Sequence, residues 1–516
     1  MFSCLDTSIV STALYTISSD LTNAHDAPWA VLGYLLTYMS FAVGFSKLSD
    51  IYGRKNILVI AWLIFTLGSI WCGFAKQMSQ LIAGRAVQGI GGSGLYSLAQ
   101  VCLIEQGPSR PELVGAMVGI TLSISFVLGP LLGGGIAEAW TWRGIFWINI
   151  PFGVMAMLGI YALWPKERHQ TYGIWTRISK IDFIGNTLLA LASILLVFAM
   201  QEAGSFVWRW NSPVIIWTLT ISGVSWVLLC VWESYLFYGT SQGIEPIFPM
   251  RLLVDRVYIS TLLNTLLTGF TYIALIIEIP ERLQIIYHDS VMMAGVHLLP
   301  MLGSCAFGSF LGGAISKRIN LTSQTLIVGN LLQVLGLGLI FGFSSDLPLS
   351  RLLGFTAIYG FGVGLGFAAC TIIAAIEAGN HDLAAAQGAV AQARVFGGAL
   401  GLAVCTIIFN EALQFEFGST LVWDQHKLEK IQQSLMAVAK LSPEDREKVI
   451  QVYLRAFKDQ ILVMMVVAAA SLLIAIGTYR VNPPPVADVM VHHKDSAGQT
   501  TDTELESTSS VRSLIR

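Results

Sequence analysis

At residues 46–55 the chain reads Ser46-Lys47-Leu48-Ser49-Asp50-Ile51-Tyr52-Gly53-Arg54-Lys55. Four of these residues are charged, whereas the apolar runs on either side, 29–45 and 57–75, contain no charged residue. A charge at the centre of a bilayer costs roughly 3 kcal/mol, so charged segments of this kind lie outside the hydrocarbon. We therefore interpret residues 46–55 as a short turn that joins two membrane-crossing helices on one side of a bilayer.

The composition of the whole chain agrees with this interpretation. It has 516 residues, of which 54% are hydrophobic and 12% are charged, with a mean hydropathy of +0.66. Soluble domains contain about 25% charged residues. A membrane span needs about 20 mainly apolar residues, and only helices or closed barrels satisfy the backbone in lipid. Because the apolar runs are long and do not alternate, they predict an all-α polytopic membrane protein.

Apolar runs of this kind recur along the chain and predict fourteen spans. They lie near residues 1–18, 29–47, 56–75, 80–104, 113–137, 144–164, 183–201, 213–235, 258–279, 291–315, 323–343, 351–376, 383–410 and 459–479. Lys and Arg are more frequent in the short loops on the side of the 46–55 turn, and such residues concentrate in cytoplasmic loops. We therefore expect both termini to be cytoplasmic.

Two segments outside the spans have distinct compositions. In the long loop 411–458, Ser442-Pro443-Glu444-Asp445 is typical of a helix start, and apolar residues follow at helical spacing. This pattern predicts an amphipathic helix on the external face, which either caps the mouth of the protein or packs on its own spans. The tail 481–516 is rich in Ser, Thr, Asp and Glu, and we expect it to be a disordered cytoplasmic tail.

Composition also argues against several classes of function. The seven cysteines lie in predicted spans without CxxC spacing, so we interpret them as packing residues and expect neither a disulfide nor a metal site. A net charge of −2 gives no reason to expect a nucleic-acid partner. Because no span carries a His/Asp cluster, a Ser/His dyad or a nucleotide-binding loop, we expect no catalytic residue, no enzymatic activity and no cofactor.

Asp6 is the one acidic residue well inside a predicted span of the first half. Desolvation favours the protonated form of a carboxylate, so Asp6 is a candidate for binding and releasing a proton. The alternative is a carboxylate that is hydrogen-bonded to a neighbouring helix and never titrates.

The fourth span carries a second unusual charge, Arg85. Positions 85, 88, 89, 92 and 96 share one face of a helix, so Arg85 lies beside Gln88 and Tyr96. A guanidinium stays charged and needs a carboxylate, carbonyls or water. Arg85 therefore binds a substrate, hydrogen-bonds a protonatable acid, or only joins two helices. The glycines near it indicate close helix packing, since no strand precedes them.

The fifth span is interrupted by Gly129-Pro130-Leu131-Leu132-Gly133-Gly134-Gly135. Proline removes a backbone hydrogen bond and glycine permits close approach, so this helix is predicted to bend where two helices touch. The bend is interpreted either as a gating element or as a site of plain packing.

Arg394 is the corresponding intramembrane arginine of the second half. Gln387, Ala391 and Gly398 share its helical face, and this combination predicts a polar pocket. His297 and Glu278 lie near the external ends of their spans, and we interpret both as hydrogen-bonded interfacial residues rather than proton carriers.

Four of these features together resemble the signature motifs of the major facilitator superfamily. They are the Asp50–Lys55 turn, the Arg85/Gln88/Gly89 helix, the Gly129-Pro130 and Gly133-Gly134 element, and the opening Leu5-Asp6-Thr7. Their order and spacing are similar to those of the fourteen-span drug:proton antiporter branch. The segment 279–300 and the run 387–401 resemble filamentous-fungal members that are often encoded beside secondary-metabolite pathways.

The resemblance implies a two-bundle architecture. Residues 1–164 and 258–480 would each form a six-helix bundle, and the linker 165–257 would add two spans between them. Such carriers work as monomers by alternating access about a site near the bilayer midplane. The family also has a longer first helix, which implies that the native chain begins upstream of Met1.

The family further assigns roles to the motif residues. The resemblance implies a latch and gate formed by Asp50, Gly53, Arg54, Lys55, Gly129, Pro130, Gly133 and Gly134. The segment from Gly312 to Arg318 resembles a second copy of the loop motif that lacks its acid, so Asp50 would be a latch acid on one side only. Three positions depart from the family pattern, where Ser46 and Ser125 replace glycines and Tyr15 replaces a proline.

The resemblance implies proton-coupled efflux of a small amphipathic natural product, toxin or drug, driven by the proton gradient across the plasma membrane or, alternatively, a vacuolar or vesicle membrane. Its partners would be this substrate, protons and the lipid bilayer. The proton-coupling candidates are Asp6 and Arg85, and the substrate-cavity candidates are Arg85, Gln88, Tyr96, Gln387 and Arg394. Two alternatives are an importer or exchanger of a nutrient or siderophore with the same fold, and a non-transporting membrane sensor.

Overall fold

The structure of the protein is a computed structural model that describes most of the chain. It covers residues 1–21, 26, 29–105, 117–118, 120–121, 124–125, 128–129, 132–133, 135–136, 140–164, 181–238, 244, 246–248, 250–316, 320–343, 348–417 and 443–484. This part of the chain is helical and contains no β-strand. The long, non-alternating apolar runs therefore form helices, as their composition predicts.

Fifteen helices are defined in the described residues. They are α1 (Phe2–Asp20), α2 (Trp29–Tyr52), α3 (Arg54–Gly73), α4 (Met78–Glu105), α5 (Arg143–Trp147), α6 (Asn149–Leu163), α7 (Phe183–Gly204), α8 (Pro213–Tyr238), α9 (Met250–Val254), α10 (Arg256–Ile286), α11 (Val291–His297), α12 (Leu299–Ile315), α13 (Thr322–Gly342), α14 (Leu349–Phe417) and α15 (Pro443–Ile476).

The predicted spans are found in these helices. Twelve helical segments of the described chain are long and apolar enough to cross a membrane, and each matches one predicted span. The predicted first span corresponds to α1, which has 19 residues. The fifth, at 113–137, lies largely outside the described residues, and its described positions from 117 to 136 are helical. The all-α polytopic fold is confirmed.

Several helix starts follow from local sequence. Asp182 caps α7 by accepting a hydrogen bond from the Gly185 backbone N–H at 2.7 Å, and Asp255 caps α10 by accepting from the backbone N–H of Val257 at 2.8 Å. Aspartate is favoured at such positions because its carboxylate satisfies an N–H that has no partner within the helix. These caps fix where α7 and α10 begin.

The prediction of a separate amphipathic helix in the loop 411–458 is wrong. The helix α14 continues to Phe417, and α15 runs without interruption from Pro443 to Ile476, so the predicted loop helix is the first part of the last span. No Gly or Pro follows Pro443 within this stretch, so nothing in the sequence ends the helix. Val449, Tyr453 and Phe457 are buried in the main hydrophobic cluster, as in the packed alternative. Ser442 lies outside the described residues.

Glycine allows α4 to pack closely on its neighbours in the first half. A Cβ at Gly68 of α3 would lie 2.6 Å from the backbone nitrogen of Gln88, and one at Gly91 would lie 2.7 Å from the carbonyl oxygen of Ala61. Heavy atoms do not approach this closely without a bond, so only glycine fits. The glycines of this region therefore bring Arg85 and Gln88 into the helix-packed interior, as the sequence indicates.

The helix α14 contains two predicted spans joined by a single bend. Its only residue outside helical geometry is Gly379, with φ 61° and ψ −168°. A backbone with this geometry is almost restricted to glycine. We call Leu349–Gly379 the first limb of α14 and Asp382–Phe415 its second limb.

The first and second halves of the chain meet at the end that carries the Asp50 turn. A Cβ at Gly388, on the second limb of α14, would lie 2.9 Å from the Cβ of Ser46 on α2. Ile104 at the end of α4 belongs to a buried cluster with Ala375 and Leu383 from the two limbs. The halves are therefore in direct contact at this end.

The helix α7, from the linker region, touches both halves. On one side a Cβ at Gly44 of α2 would lie 2.6 Å from the side-chain oxygen of Asn186. On the other, the side-chain amide of Asn410 donates a hydrogen bond of 3.0 Å to the carbonyl oxygen of Gly204. The helix α7 thus lies along the seam between α2 and the second limb of α14.

Candidate functional site

A buried ionic cluster surrounds Asp6 in the first half. Asp6 is 1% exposed and Arg85 is fully buried, and Arg85 Nη1 forms an ion pair with Asp6 Oδ2. The other carboxylate oxygen, Oδ1, accepts hydrogen bonds from Gln88 Nε2 at 2.8 Å and from Asn149 Nδ2 at 3.0 Å. Both carboxylate oxygens of Asp6 are therefore engaged, one by a cation and the other by two amide donors.

Arg85 is fixed by further contacts. Its Nε donates to the Ala30 carbonyl oxygen at 2.9 Å, Nη1 also donates to Gln88 Oε1 at 2.6 Å, and the guanidinium carbon lies 4.2 Å above the Tyr34 ring. The interpretation that Arg85 hydrogen-bonds a protonatable acid therefore has a geometric basis. The Asp6–Arg85 ion pair and the hydrogen bonds that it makes therefore link α1, α2, α4 and α6.

Sequence reasoning missed two members of this cluster, Ser69 and Asn149. Ser69 Oγ accepts hydrogen bonds from Gln88 Nε2 at 2.8 Å and from Asn149 Nδ2 at 3.3 Å. Asn149 is 3% exposed although it stands in a strongly apolar run. An amide in such a run must find polar partners in lipid, and this was the signal that the sequence offered.

A second polar contact joins the two halves. Arg394 Nη1, from the second limb of α14, donates a hydrogen bond of 2.7 Å to the Tyr96 hydroxyl of α4. Both side chains are buried. The predicted substrate residues therefore divide into groups: Arg85 and Gln88 bind Asp6, Tyr96 binds Arg394, and Gln387 donates at 3.1 Å to the Thr371 carbonyl oxygen.

The turn at 46–55 forms a charge network. Arg54 Nη1 lies 2.6 Å from Asp50 Oδ1, and Arg54 Nη2 lies 2.6 Å from Glu105 Oε1 at the end of α4. Gly53, between α2 and α3, has φ 91°, a left-handed geometry that favours glycine. Lys55 Nζ donates to the Tyr161 carbonyl oxygen at 3.1 Å. Glu105 was missed because the pairing depends on where α4 ends, which the local motif does not encode.

In the second half, arginines form ion pairs with acidic residues outside the segment from Gly312 to Arg318, which was predicted to be a second copy of the loop motif. Lys317 and Arg318 lie outside the described residues. Arg251 forms an ion pair with Asp382, and Arg480 lies 3.0 Å from Glu377. These acids flank Gly379 of α14. Charge pairs thus occur in both halves, although the notion of Asp50 as the one latch acid stays a prediction.

The fifth-span motif is only partly within the described chain. Gly129 and Gly133 are helical, whereas Pro130 and Gly134 lie outside the described residues. Ser125, which departs from the family pattern, donates a hydrogen bond of 3.0 Å to the Met1 carbonyl oxygen. This bond shows how a serine at that position packs the fifth span against the start of α1.

The two interfacial residues have polar partners. His297 Nδ1 lies 2.6 Å from Asp289 Oδ2. Glu278 accepts a hydrogen bond of 3.2 Å from Gln460 Nε2, which also donates to the Cys405 carbonyl oxygen at 3.1 Å. This geometry agrees with the interpretation of His297 and Glu278 as hydrogen-bonded structural residues.

Comparison with known proteins identifies the class. The family model of the Major Facilitator Superfamily matches residues 1–402. The chain therefore belongs to this family. It is therefore a multi-pass membrane transporter, and members of the family bind small-molecule substrates. The ordered motifs at Asp6, Asp50, Arg85 and Gly129 predicted this family.

Named relatives refine the comparison. The chain is 35% identical over 489 residues to the MFS-type transporter FPY5 of Fusarium mangiferae, covering 92% of this chain and 80% of that protein. It is 28% identical to the efflux pump FUS6 of Gibberella moniliformis, covering 88% and 81%. Multidrug resistance protein 3 of Bacillus subtilis is 31% identical, with 71% of this chain and 69% of that protein covered.

Solved structures share the fold at low sequence identity. The proton:xylose symporter XylE bound to 6-bromo-6-deoxy-D-glucose superposes with a TM-score of 0.57 at 11% identity, covering 95% of this chain and 96% of that one. The human organic anion transporter MFSD10 gives a TM-score of 0.53 at 14% identity, with 90% and 96% covered. At these identities the comparison shows the major facilitator fold alone.

Proposed function

We propose that the chain is a proton-coupled exporter of small amphipathic molecules, natural products or toxins among them, that works by alternating access in the plasma membrane. The observation that carries this proposal is the buried ion pair between Asp6 and Arg85. Relatives named as efflux pumps support the direction of transport. The chain acts as a monomer. It needs no cofactor, because the proton gradient supplies the energy.

The geometry of the cluster supports a role for Asp6 in the proton step. While Asp6 is ionised, it compensates the charge of Arg85, and the two side chains hold α1 and α4 together. A proton on Asp6 removes this compensation and leaves Arg85 as a buried unpaired cation, which is unfavourable by several kcal/mol. Proton binding therefore favours a rearrangement in which Arg85 finds water or a substrate, and this rearrangement couples the proton to the change of access.

The available energy is sufficient for export. A proton that enters down a membrane potential of ~100 mV releases about 2.3 kcal/mol, and each pH unit adds roughly 1.4 kcal/mol. One proton at ~1 pH unit therefore supports a substrate gradient of several hundred-fold, since each 1.4 kcal/mol is a factor of ten.

The test is transport by the full chain in proteoliposomes with an imposed pH gradient. Three fluorescent aromatic dyes, one cationic, one neutral and one anionic, serve as probes because the natural substrate is unidentified. We expect at least one dye to move against its gradient while protons move the opposite way, and a protonophore to stop it. Dye influx that is independent of the pH gradient would contradict the antiport proposal.

Asp6→Asn is the decisive variant. It keeps the size of the side chain but cannot exchange a proton at Asp6, so we expect gradient-driven transport to fall at least ~10-fold. Asp20→Asn, on the same helix, is the matched control. Hydrogen bonds from Trp142 and Arg143 hold the pKa of Asp20 below its usual range, so Asp20 stays ionised near neutral pH. Equal loss of transport in the two variants would argue against a coupling role for Asp6.

A further inference from the structure

Arg394 is a buried cation whose surroundings provide little compensation. It is 3% exposed, and its hydrogen bond to the neutral Tyr96 hydroxyl uses Nη1. The guanidinium carbon lies 4.1 Å from the centre of the Phe367 ring. Nε and Nη2 have no hydrogen-bond partner among the residues that the structure describes. Nor does any described carboxylate form an ion pair with Arg394.

Comparison with Arg85 shows that Arg394 lacks a carboxylate partner among the described residues. Both arginines are buried in helices of the membrane domain, and both stack on an aromatic ring. Arg85, however, has the carboxylate of Asp6 as its partner. A guanidinium stays ionised in proteins, so burial cannot be relieved by loss of the proton. A cation–π contact offsets only part of the desolvation cost of a buried guanidinium. An anion from outside the chain would supply the missing compensation.

The two unpaired nitrogens define the shape of that anion. Nε and Nη2 lie on the same edge of the planar guanidinium and direct two parallel N–H groups outward. This edge matches the two oxygens of a carboxylate, or of a β-keto enolate, in a bidentate arrangement. The chemistry of the free edge therefore favours a planar oxyanion over a single-atom anion.

Aromatic rings from both halves surround this position. On the first-half side the Tyr96 ring lies 5.9 Å from the Tyr38 ring. On the second-half side the Phe367 ring lies 5.1 Å from the Tyr272 ring, edge to face. A molecule that pairs with Arg394 therefore contacts flat apolar surfaces on either side of the seam, and an aromatic body fits such surfaces.

The backbone that carries Arg394 is held tightly against α10. A Cβ at Gly269 of α10 would collide with the carbonyl oxygen of Arg394, and one at Gly397 would collide with the carbonyl oxygen of Leu266. Both positions thus require glycine, and they fix the height and rotation of the second limb of α14. The guanidinium is placed by this packing rather than by a flexible loop.

We propose that Arg394 recognises an oxyanion of the transported molecule, so that the substrate is an amphipathic aromatic organic acid. The carboxylate or enolate of the substrate takes the Nε and Nη2 edge, and its ring system packs between Tyr96 and Phe367. This inference rests on the proposed transport function, because it assigns the substrate class of the site between the halves.

The test is equilibrium binding to the purified full chain in detergent, without a pH gradient. The probes are anthracene-9-carboxylate and its neutral amide, and binding is followed by probe fluorescence. We expect the wild type to bind the acid at least ~10-fold more tightly than the amide, and Arg394→Gln to bind the acid ~10–100-fold more weakly, as for loss of a charged hydrogen bond. Amide binding by Arg394→Gln should stay within ~2-fold of the wild type.

Two further variants complete the set. Arg394→Lys keeps the charge without the planar edge and should retain part of the preference for the acid. Arg351→Gln, at an exposed arginine, is the matched control and should bind both probes like the wild type. Gel filtration and amide binding report whether each variant is folded. If Arg394→Gln is not folded, the Arg394→Lys profile decides.

Several results would overturn the inference. They are equal wild-type affinity for acid and amide, equal weakening of both probes by Arg394→Gln, an unchanged acid preference in Arg394→Lys, or displacement of the acid by millimolar chloride, which would indicate an inorganic anion site. Because no proton gradient is present, a failure here is separate from a failure of proton coupling. A carrier that drives cationic dye export but shows no acid preference would refute this inference and leave the proposed function intact.

Discussion

At the level of single residues, Arg54 is the centre of the turn from which the fold was deduced. Its Nη1 lies 2.6 Å from Asp50 Oδ1, and its Nη2 lies 2.6 Å from Glu105 Oε1. The Arg54 side chain is 14% exposed. The contact with Glu105 joins the turn to the end of α4, whereas the contact with Asp50 stays within the turn. The charge network therefore connects α2, α3 and the end of α4.

We expect Asp50→Asn with Glu105→Gln to slow transport at least ~10-fold while changing the thermal midpoint little. Each ion pair contributes only about 1 kcal/mol to stability, but loss of both changes the relative free energy of two access states by about 2 kcal/mol, which exceeds the roughly 1.4 kcal/mol of a ten-fold change in population. Dye efflux and melting of the purified double and single variants measure the two effects. Asp459→Asn, at an exposed aspartate, is the control.

The single variants distinguish the two acids. If either acid alone can hold Arg54, each single variant keeps most of the rate, and the double variant shows a loss larger than the sum. Normal transport by the inserted double variant would exclude a latch at this turn.

The residue-level site was only partly predictable. Asp6, Arg85 and Gln88 stand out in the sequence because charge and amide groups are rare in spans, and the structure joins all three. Ser69, Asn149 and Glu105 were not identified because small polar residues and helix ends are common. Their roles depend on which helices become neighbours, and that information is not local.

At the level of helices, the bend of α14 is set by one residue. Gly379 has φ 61° and ψ −168°, and a Cβ there would meet no neighbour. Its requirement for glycine is therefore conformational and not a matter of space. Because a Cβ at position 379 meets no neighbour, an alanine there measures the backbone strain without a steric contribution.

We expect Gly379→Ala to reduce stability by about 1–3 kcal/mol, because alanine is strained in that backbone region. Gly354→Ala is the matched control on the same helix, where a Cβ also meets no neighbour. Alanine should there be neutral or stabilising by about 0.5–1 kcal/mol, since it is the better helix former. Thermal unfolding of the purified proteins compares them. An unchanged midpoint for Gly379→Ala would show that the bend is not held in the folded carrier.

Helices as units were the most predictable level. Twelve spans match because a run of about 20 apolar residues is a strong physical signal. The last helix was divided wrongly, since the charged residues from Glu444 to Asp459 separate the predicted helix start from the apolar run 459–479. The helix continues through them because its apolar residues Val449, Tyr453 and Phe457 pack on the core. Tertiary contact, not local charge, decided that boundary.

At the level of the whole molecule, the two halves are in contact at the Asp50 end, which in the proposed alternating-access cycle corresponds to one access state. The sequence predicts two bundles but not which of their surfaces meet, because each state of a carrier uses the same residues. Ser46 and Gly388 lie far apart in the sequence and are neighbours in this structure, and we expect them to separate when this end opens. They therefore report on the state itself.

We expect Ser46→Cys with Gly388→Cys to form a disulfide under mild oxidation and to stop transport reversibly. The Cβ positions are close enough after a small adjustment, since disulfides need a Cβ–Cβ distance of about 3.5–4.5 Å. Protease digestion and gel mobility detect the link, and reduction should restore dye efflux. Each single variant controls for the native cysteines. A linked protein that still transports would mean that this end does not open during the cycle.

The position of α7 along the seam has a consequence for how a membrane-dissolved compound enters. An amphipathic acid partitions into the bilayer before it meets the carrier. From the bilayer it would approach the seam between α2 and the second limb of α14 laterally. The helix α7 contacts both of these helices, through Asn186 and Gly204, and so covers that flank from the lipid. If the proposed acid reaches Arg394 from the bilayer, it must in this state enter by a route other than this flank, and its entry would be asymmetric around the circumference of the protein.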